Sequence, residues 1–130
     1  MDSARSSPSI LVVEDDNQFR RYLAEVLGNE GFTVRLAENG SRALAVLAEE
    51  LVDVVLTDLV MPEQDGVSLI RSLRRLYPAL RIIAMSGRGR TDLSMDSLNL
   101  VRLLGADRTL EKPFAIAELR EALLAVLTRH

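Results

Sequence analysis

The sequence contains no cysteine, no tryptophan and only one histidine, His130, to which we assign no role. The lack of cysteine excludes disulfides and thiolate metal sites. No apolar run approaches the roughly 20 residues that a membrane-spanning helix needs. The first nine residues, MDSARSSPS, are polar and lack the apolar stretch of a signal peptide. We therefore predict a cytoplasmic protein that does not enter a membrane.

Positive charge is also not clustered. The net charge is -3, and acidic and basic residues are scattered along the whole chain. No basic stripe is present, so we expect no nucleic-acid partner. One of the sixteen basic residues is a lysine, Lys112, and all the others are arginines. Codon bias explains the excess of arginine, but it does not explain why the single lysine stands in LEKPF.

The length of 130 residues and the hydrophobic fraction of 48% are typical of one packed domain. We expect a flexible tail over residues 1–9, a single domain over residues 10–128 and no output domain. Short apolar runs alternate five times with segments of helical spacing. The runs are residues 10–13, 32–36, 54–57, 81–85 and 108–110. This alternation predicts an α/β fold with a parallel sheet and helices on both faces.

The helical segments carry apolar stripes and recognisable end signals. In the first, an apolar stripe begins at Phe19, and Gly28 or Gly31 can end the helix. The second follows the residues Asn-Gly-Ser at 39–41, and the third begins near Gly66 and stops before Pro78. The fourth is expected to end at residues 103–105, and the fifth spans residues 115–127.

Polar side chains stand where the predicted strands end, which is the edge at which open parallel sheets bind ligands. The residues at this edge are Glu14, Asp15 and Asp16 after the first strand, Asp58 after the third, Ser86 after the fourth and Lys112 after the fifth. Two carboxylates ~5 Å apart repel by roughly 3 kcal/mol at an effective dielectric of about 20. A hard divalent cation such as Mg²⁺ would relieve that repulsion, since it prefers oxygen ligands.

A metal ion, an ammonium group and a hydroxyl group can together neutralise the oxygens of a phosphoryl group. Asp58 is then a possible carboxylate nucleophile. Taken singly, Glu14 and Asp16 also fit solvated loop residues or helix caps, and Ser86 fits a Ser-Gly turn. The joint arrangement favours the phosphoryl site.

Four motifs carry a family resemblance: ILVVEDD, DVVLTDLVMPEQDG, IIAMSG and GADRTLEKPF. In this order they resemble the receiver domain of two-component response regulators, over residues 10–127. The resemblance implies a flavodoxin-like fold: a doubly wound, five-stranded parallel sheet of order 2-1-3-4-5 with five helices. It also implies that Asp58 is the phosphoacceptor.

The resemblance implies further roles for single residues. Asp15 would bind Mg²⁺ directly, Glu14 would bind it directly or through water, and the backbone carbonyl of Val60 would add a ligand. Ser86 and Lys112 would contact the phosphoryl group.

Asp16 falls outside the metal pair of the family, and we expect it to cap the first helix. The Lys112–Pro113 bond is a candidate cis peptide.

The chain also departs from the family pattern. Thr109 stands where the family often has a tyrosine or phenylalanine that turns inward on activation, so Ser86 and Thr109 are the expected readout pair. Val60 and Arg88 resemble positions that tune phosphoryl lifetime. The stretch up to Lys112 is long and contains GRGRTDLSMD. It fits a surface loop, a remodelled partner surface or a loop that closes over the site.

These features predict a phosphorylation-switched domain. It would receive a phosphoryl group from a sensor histidine kinase or a histidine phosphotransfer protein. It would then act on a separate, unknown protein through the fourth helix, fifth strand and fifth helix, or pass the group on. We expect no enzyme activity beyond its own phosphorylation and dephosphorylation.

Three alternatives remain open at this point. A scaffold that keeps the fold but does not switch is favoured by Thr109. A phosphohydrolase with an aspartyl nucleophile commonly needs a second acid two residues later, where this chain has Val60. A flavin-binding domain shares the fold class, but an acidic cluster after the first strand would repel the flavin phosphate.

Overall fold

The computed structural model describes residues 7–59, 66–87 and 105–128. Its strands are β1 (Ser9–Val13), β2 (Thr33–Ala37), β3 (Val54–Asp58), β4 (Arg81–Gly87) and β5 (Arg108–Lys112). The helices in these residues are α1 (Asn17–Asn29), α2 (Gly40–Glu49), α3 (Gly66–Leu76) and α4 (Ile116–Leu127). Helix α4 is the fifth helix of the sequence prediction. The fourth predicted helix lies outside the described residues.

All five strands form one parallel sheet in the order β2-β1-β3-β4-β5. The predicted fold class and strand order are therefore confirmed. Every residue of β3 is buried, whereas the edge strands β2 and β5 expose some of theirs. The sequence shows the same difference, because a central strand covered by helices on both faces needs a continuous apolar run.

Alternate side chains of each strand face opposite sides of the sheet and build two hydrophobic clusters. On one side, Leu11 and Val55 pack with side chains of α2 and α3, such as Ile70. On the other side, Ile10 and Leu56 pack with side chains of α1 and α4. A fully buried leucine or isoleucine contributes about 1.5–3 kcal/mol, so both helical layers are held mainly by these faces.

Local signals in the sequence set the helix ends. Asn39 caps α2 by accepting from the backbone N–H of Arg42 at 2.8 Å. Helix α1 continues through Gly28, and the chain turns at Gly31, whose φ of +100° favours glycine. Of the two glycines that the sequence suggested as the end of this helix, Gly31 is therefore the one at which the chain turns away. Helix α3 ends at Leu76, two residues before Pro78.

The sheet begins at Ser9, one residue earlier than the predicted domain boundary. The backbone N–H of Ser9 donates to a carboxylate oxygen of Asp53 at 2.7 Å, and its hydroxyl donates to the same oxygen at 3.1 Å. These bonds hold the start of β1 against the start of β3. Among the described residues, no helix has the length and apolar character needed to cross a membrane.

Arg74 of α3 joins three parts of the chain at the amino-terminal edge of the sheet. Its guanidinium donates to the carbonyl of Leu80 at 2.6 Å and to the carbonyl of Gly105 at 2.6 Å. It also reaches the carbonyl of Pro78 at 2.7 Å and a carboxylate oxygen of Asp107 at 3.2 Å. The planar fork of one arginine thus fixes the approaches to β4 and β5.

Candidate phosphoryl and metal site

Three charged side chains meet at the carboxyl-terminal edge of the sheet. Glu14 follows β1, Asp58 ends β3 and Lys112 ends β5. The Lys112 Nζ atom lies 2.8 Å from Oε1 of Glu14 and 3.3 Å from Oδ2 of Asp58. The single lysine of the chain therefore contacts two of the acids that the sequence places at this edge.

Strand alternation explains why these three side chains meet. Each of them lies two positions after an apolar residue that packs against α1 and α4, and alternate residues of a strand share a face. The three apolar residues are Val12, Leu56 and Leu110. Lys112 starts from the edge strand and reaches across β4, which its long flexible stem permits.

The third acid of the group, Asp15, is exposed, whereas Glu14 is 1% exposed and Asp58 is 6% exposed. One carboxylate oxygen from each of the three lies within 4.8 Å of the other two. Three carboxylates at this spacing offer the hard oxygen donors that Mg²⁺ and similar cations prefer. The residues present therefore fit a divalent cation, and Asp15 leaves one side of the group open to solvent.

Glu14 is held at every polar atom of its backbone and side chain. Its Oε2 atom accepts from the N–H of Asp16 at 3.1 Å, and its carbonyl accepts from Arg20 at 2.7 Å. Its own N–H donates to the carbonyl of Ala37 at 3.0 Å, which extends the pairing of β1 with β2. These bonds fix the carboxylate that holds Lys112.

The charges of this group are shifted by burial and by one another. Burial raises the pKa of Glu14, the charge on Asp58 adds to this, and the hydrogen bond from Lys112 only partly offsets it. For Lys112, burial alone would lower the pKa. The hydrogen bond to Glu14 and the charge on Asp58 outweigh burial, so the pKa of Lys112 lies above its usual value. Lys112 therefore remains an ammonium group at neutral pH.

Asp16 does not belong to this group. Its carboxylate accepts from the backbone N–H groups of Gln18 at 2.9 Å and Phe19 at 3.2 Å, so it caps the amino terminus of α1. The predicted cap is confirmed. The run of three acids therefore divides into two residues for the charged site and one for the helix.

One side chain at the site was not foreseen from the sequence. The ring of Phe19 lies under the Lys112 ammonium, with Nζ 4.7 Å from the ring centroid. Phe19 also meets Phe114 edge to face at 6.0 Å and stacks with Tyr22 at 6.1 Å. The apolar stripe predicted Phe19 as a core residue of α1. Its place one turn after the acids is the only signal that could have suggested more.

Ser86 lies on β4, the neighbour of the strand that carries Asp58, and Thr109 lies on β5, one strand further away. In the β3–β4 register Asp58 is opposite Met85, so Ser86 comes one residue later, and its side chain is 3% exposed. Thr109 is half-buried on β5 opposite Ala84. The Lys112–Pro113 bond is cis, as predicted. The roles of Ser86 and Thr109 in phosphoryl contact and readout stay predictions.

Several predicted positions fall outside the described residues. These are Val60, Arg88, the remainder of the long segment up to residue 104, residues 1–6 of the tail, and His130. Their expected roles in metal binding, phosphoryl lifetime or partner contact stay predictions.

A separate open pocket lies at the opposite, amino-terminal edge of the sheet. It has a volume of about 370 Å³ and is lined by residues 51–53 and 76–81. The carboxylates and the lysine lie beyond the other ends of the strands. The charged group, and not this pocket, is therefore the candidate site.

Comparison with known proteins identifies the family to which this chain is related. The family model described as "Response regulator receiver domain" matches residues 10–124. The KDP operon transcriptional regulatory protein KdpE of Escherichia coli is 36% identical over 122 residues, covering 94% of this chain and 52% of KdpE. The transcriptional regulatory protein PrrA of Mycobacterium tuberculosis is 36% identical over 130 residues, covering 100% of this chain and 54% of PrrA. This chain thus spans about half the length of these curated relatives.

The fold comparison agrees with the sequence comparison. The crystal structure of a response regulator receiver domain protein from Clostridium thermocellum has a TM-score of 0.86 and 28% identity. It covers 94% of this chain, which covers 95% of it in return. The match of the family model over most of the chain, together with the relatives, shows that this chain belongs to the receiver domain family of two-component response regulators.

Proposed function

We propose that this chain is a phosphorylation-switched signalling domain. In this proposal Asp58 accepts a phosphoryl group from a sensor histidine kinase or a histidine phosphotransfer protein, and the reaction depends on Mg²⁺. The supporting observation is the charge arrangement at one edge of the sheet. Three carboxylates lie within 4.8 Å of one another, and the only lysine of the chain bonds two of them.

The chemistry required of the protein is modest. A carboxylate oxygen of Asp58 forms a bond to phosphorus while the bond from phosphorus to the histidine nitrogen of the donor breaks, and the imidazole leaves. Positioning and charge neutralisation account for most of the rate of such a transfer. Bound Mg²⁺ would supply part of that neutralisation. Glu14, Asp15, Asp58 and the Val60 carbonyl are its proposed ligands.

Lys112 and Ser86 are the proposed contacts for the phosphoryl oxygens. Lys112 bonds one carboxylate oxygen of Asp58 at 3.3 Å, so it needs only a short movement to reach a group attached to that residue. The new charge on Asp58 would draw Lys112 towards the phosphoryl group and weaken its bond to Glu14. Ser86 and Thr109 would carry this change to the surface. Output would pass through a separate protein or by onward transfer of the phosphoryl group.

Three finer expectations accompany the proposal. The chain would catalyse only its own phosphorylation and dephosphorylation, and Val60 and Arg88 are the positions expected to set the lifetime. The 130 residues of this chain are expected to make no contact with nucleic acid. The relatives named as transcriptional regulators are matched over only about half their length.

Intact mass after incubation with a small phosphodonor and Mg²⁺ tests the proposal. We expect one added phosphoryl group on the wild-type protein and none on Asp58→Asn. Because that variant keeps the size of the side chain, its amide spectrum serves as the control for folding. An unchanged wild-type mass, or phosphate that persists in the variant, would overturn the proposal.

A scaffold that does not switch is the second candidate, and the half-buried polar Thr109 favours it. The two functions differ in their response to a phosphoryl analogue. A switching domain changes its amide spectrum beyond the acidic site when Mg²⁺ and beryllofluoride are added, including at Thr109. A scaffold shows changes confined to residues next to the acids, or none.

A further inference from the structure

We propose that Phe19 is a positioning residue for the phosphoryl site, in which its ring face holds the Lys112 ammonium over the acidic group. This inference rests on the proposed function, because it concerns how Lys112 is presented to a phosphoryl group. Phe19 itself touches no reacting atom.

The contact has the geometry of a cation–π interaction. Nζ of Lys112 lies 4.7 Å from the ring centroid of Phe19, within the roughly 6 Å over which such contacts are significant. The lysine side chain is 23% exposed, so the contact is partly shielded from water. Two carboxylates and a ring face therefore surround the ammonium. Of these three contacts, all made by residues that the structure describes, only the carboxylates compete with a phosphoryl group as hydrogen-bond acceptors.

The ring is itself held in place. The backbone N–H of Phe19 donates to the Asp16 carboxylate, so the ring is set by the same turn that carries Glu14 and Asp15. Phe114, which directly follows Lys112 and Pro113 in the chain, meets the Phe19 ring edge to face, with the two ring centroids 6.0 Å apart. The acids, the ring and the lysine stem are thus tied into one local unit.

The ring has a consequence that a plain apolar side chain would lack. A leucine at position 19 fills similar space but presents no negative face to the ammonium. The ammonium would then sample more orientations away from Asp58. We expect the rate constant for phosphorylation to fall about two- to thirtyfold, since cation–π contacts of this kind contribute roughly 0.5–2 kcal/mol.

The single lysine makes a direct test possible. Protein labelled with ¹³C and ¹⁵N only in lysine gives the side-chain signals of Lys112 alone. Protons over a ring face are shifted upfield, so the methylene signals next to Nζ should lie upfield in the wild type. They should move downfield in Phe19→Leu and stay near the wild-type position in Phe19→Tyr. This readout requires no phosphorylation.

Kinetics with a small phosphodonor at saturating Mg²⁺ form the second arm. Phe19→Leu should lose rate, Phe19→Tyr should retain it, and the Mg²⁺ affinity should be the same in both. Tyr22→Leu is the matched control, because it removes an aromatic ring that stacks on Phe19. It should leave the rate and the Lys112 signals unchanged.

Phe19 also packs against the core, so Phe19→Leu could unfold. Replacement of Phe19 by pentafluorophenylalanine keeps the shape but reverses the charge of the ring face, and it should lower the rate as leucine does. Lys112 signals or rates that match the wild type in both replacements would overturn the inference. A wild type that takes no phosphate would overturn the proposed function instead, and the Lys112 signals would still decide whether the ring holds the ammonium.

Discussion

Lys112 and Arg74 are two half-buried cations at opposite edges of the same sheet, and their partners differ. The side chain of Lys112 is 23% exposed and that of Arg74 is 27% exposed. Arg74 donates to three backbone carbonyls and one carboxylate. Lys112 donates to two carboxylates that lie beside the exposed Asp15.

The difference separates a structural cation from one available for chemistry. Backbone carbonyls cannot move without the chain, so the planar fork of Arg74 fixes the loops that it joins. The partners of Lys112 are side chains whose charge a metal ion or a phosphoryl group would change. A compact ammonium on a flexible stem can follow that change. On the proposed function, one edge of the sheet therefore serves stability and the other serves the phosphoryl chemistry.

Removal of the lysine charge should have the largest effect. In Lys112→Ala the developing charge on the phosphoryl group loses its side-chain cation, so the phosphorylation rate should fall about 100-fold. Mg²⁺ should bind about tenfold more tightly, because a positive charge has left the acidic group. Rate and affinity are read from phosphodonor kinetics and a Mg²⁺ titration. If Mg²⁺ binding weakened instead, Lys112 would be a structural support of the acids.

Removal of the arginine should affect stability and spare the chemistry. In Arg74→Ala three carbonyls lose their donor, which should lower the free energy of unfolding by about 2–3 kcal/mol. Urea unfolding measures this loss, and phosphodonor kinetics on the folded variant should be within about twofold of the wild type. A large loss of rate in a fully folded Arg74→Ala protein would contradict the separation of the two edges.

Exchange of lysine and arginine at these two positions should have smaller effects, on the rate at position 112 and on stability at position 74. Lys112→Arg keeps the charge but brings a wide planar fork to a narrow site, so we expect the rate to fall about tenfold with little change in stability. Arg74→Lys keeps the charge but loses the fork, so we expect a loss of about 1–2 kcal/mol and a normal rate. Each protein is the control for the other, and equal effects on both properties would remove the distinction.

The ion pair between Glu30 of α1 and Arg120 of α4 should have the smallest effect. Its atoms lie 2.7 Å apart, and the hydrogen bond from Arg120 holds the pKa of Glu30 below its usual range. The pair therefore stabilises the fold at pH values above the unfolded-state pKa of Glu30. This stabilisation is lost as the pH falls through the folded-state pKa of Glu30. Arg120→Gln should lower the melting temperature slightly at pH 7 and not at low pH. Glu30→Gln should do the same, with no further loss in the double variant.

Much of the site could be predicted because it depends on strand ends. A parallel sheet brings every carboxyl end to one edge, so Glu14, Asp58 and Lys112 could be placed together from apolar runs alone. Asp16 could be assigned as a cap because its position before an apolar stripe is a local signal.

Contacts between distant side chains could not be predicted. The approach of Phe19 to Lys112 depends on how α1 crosses the sheet, and no short segment contains both residues. The same holds for Arg74, which bonds the carbonyl of Gly105 at 2.6 Å. The Gly-Ala motif in the sequence did not indicate this hydrogen bond. The structure shows that a Cβ atom at Gly105 would come within 3.0 Å of the Arg74 side chain.

Identification of the phosphorylated residue tests the central claim most directly. The wild-type protein is incubated with a small phosphodonor and Mg²⁺, acyl phosphate is trapped by borohydride reduction, and the modified residue is found by peptide mass spectrometry. A parallel sample contains a chelator in place of Mg²⁺. We predict one modified residue, Asp58, in the Mg²⁺ sample and almost none in the chelator sample. Modification at another residue, or equal modification without Mg²⁺, would contradict the account.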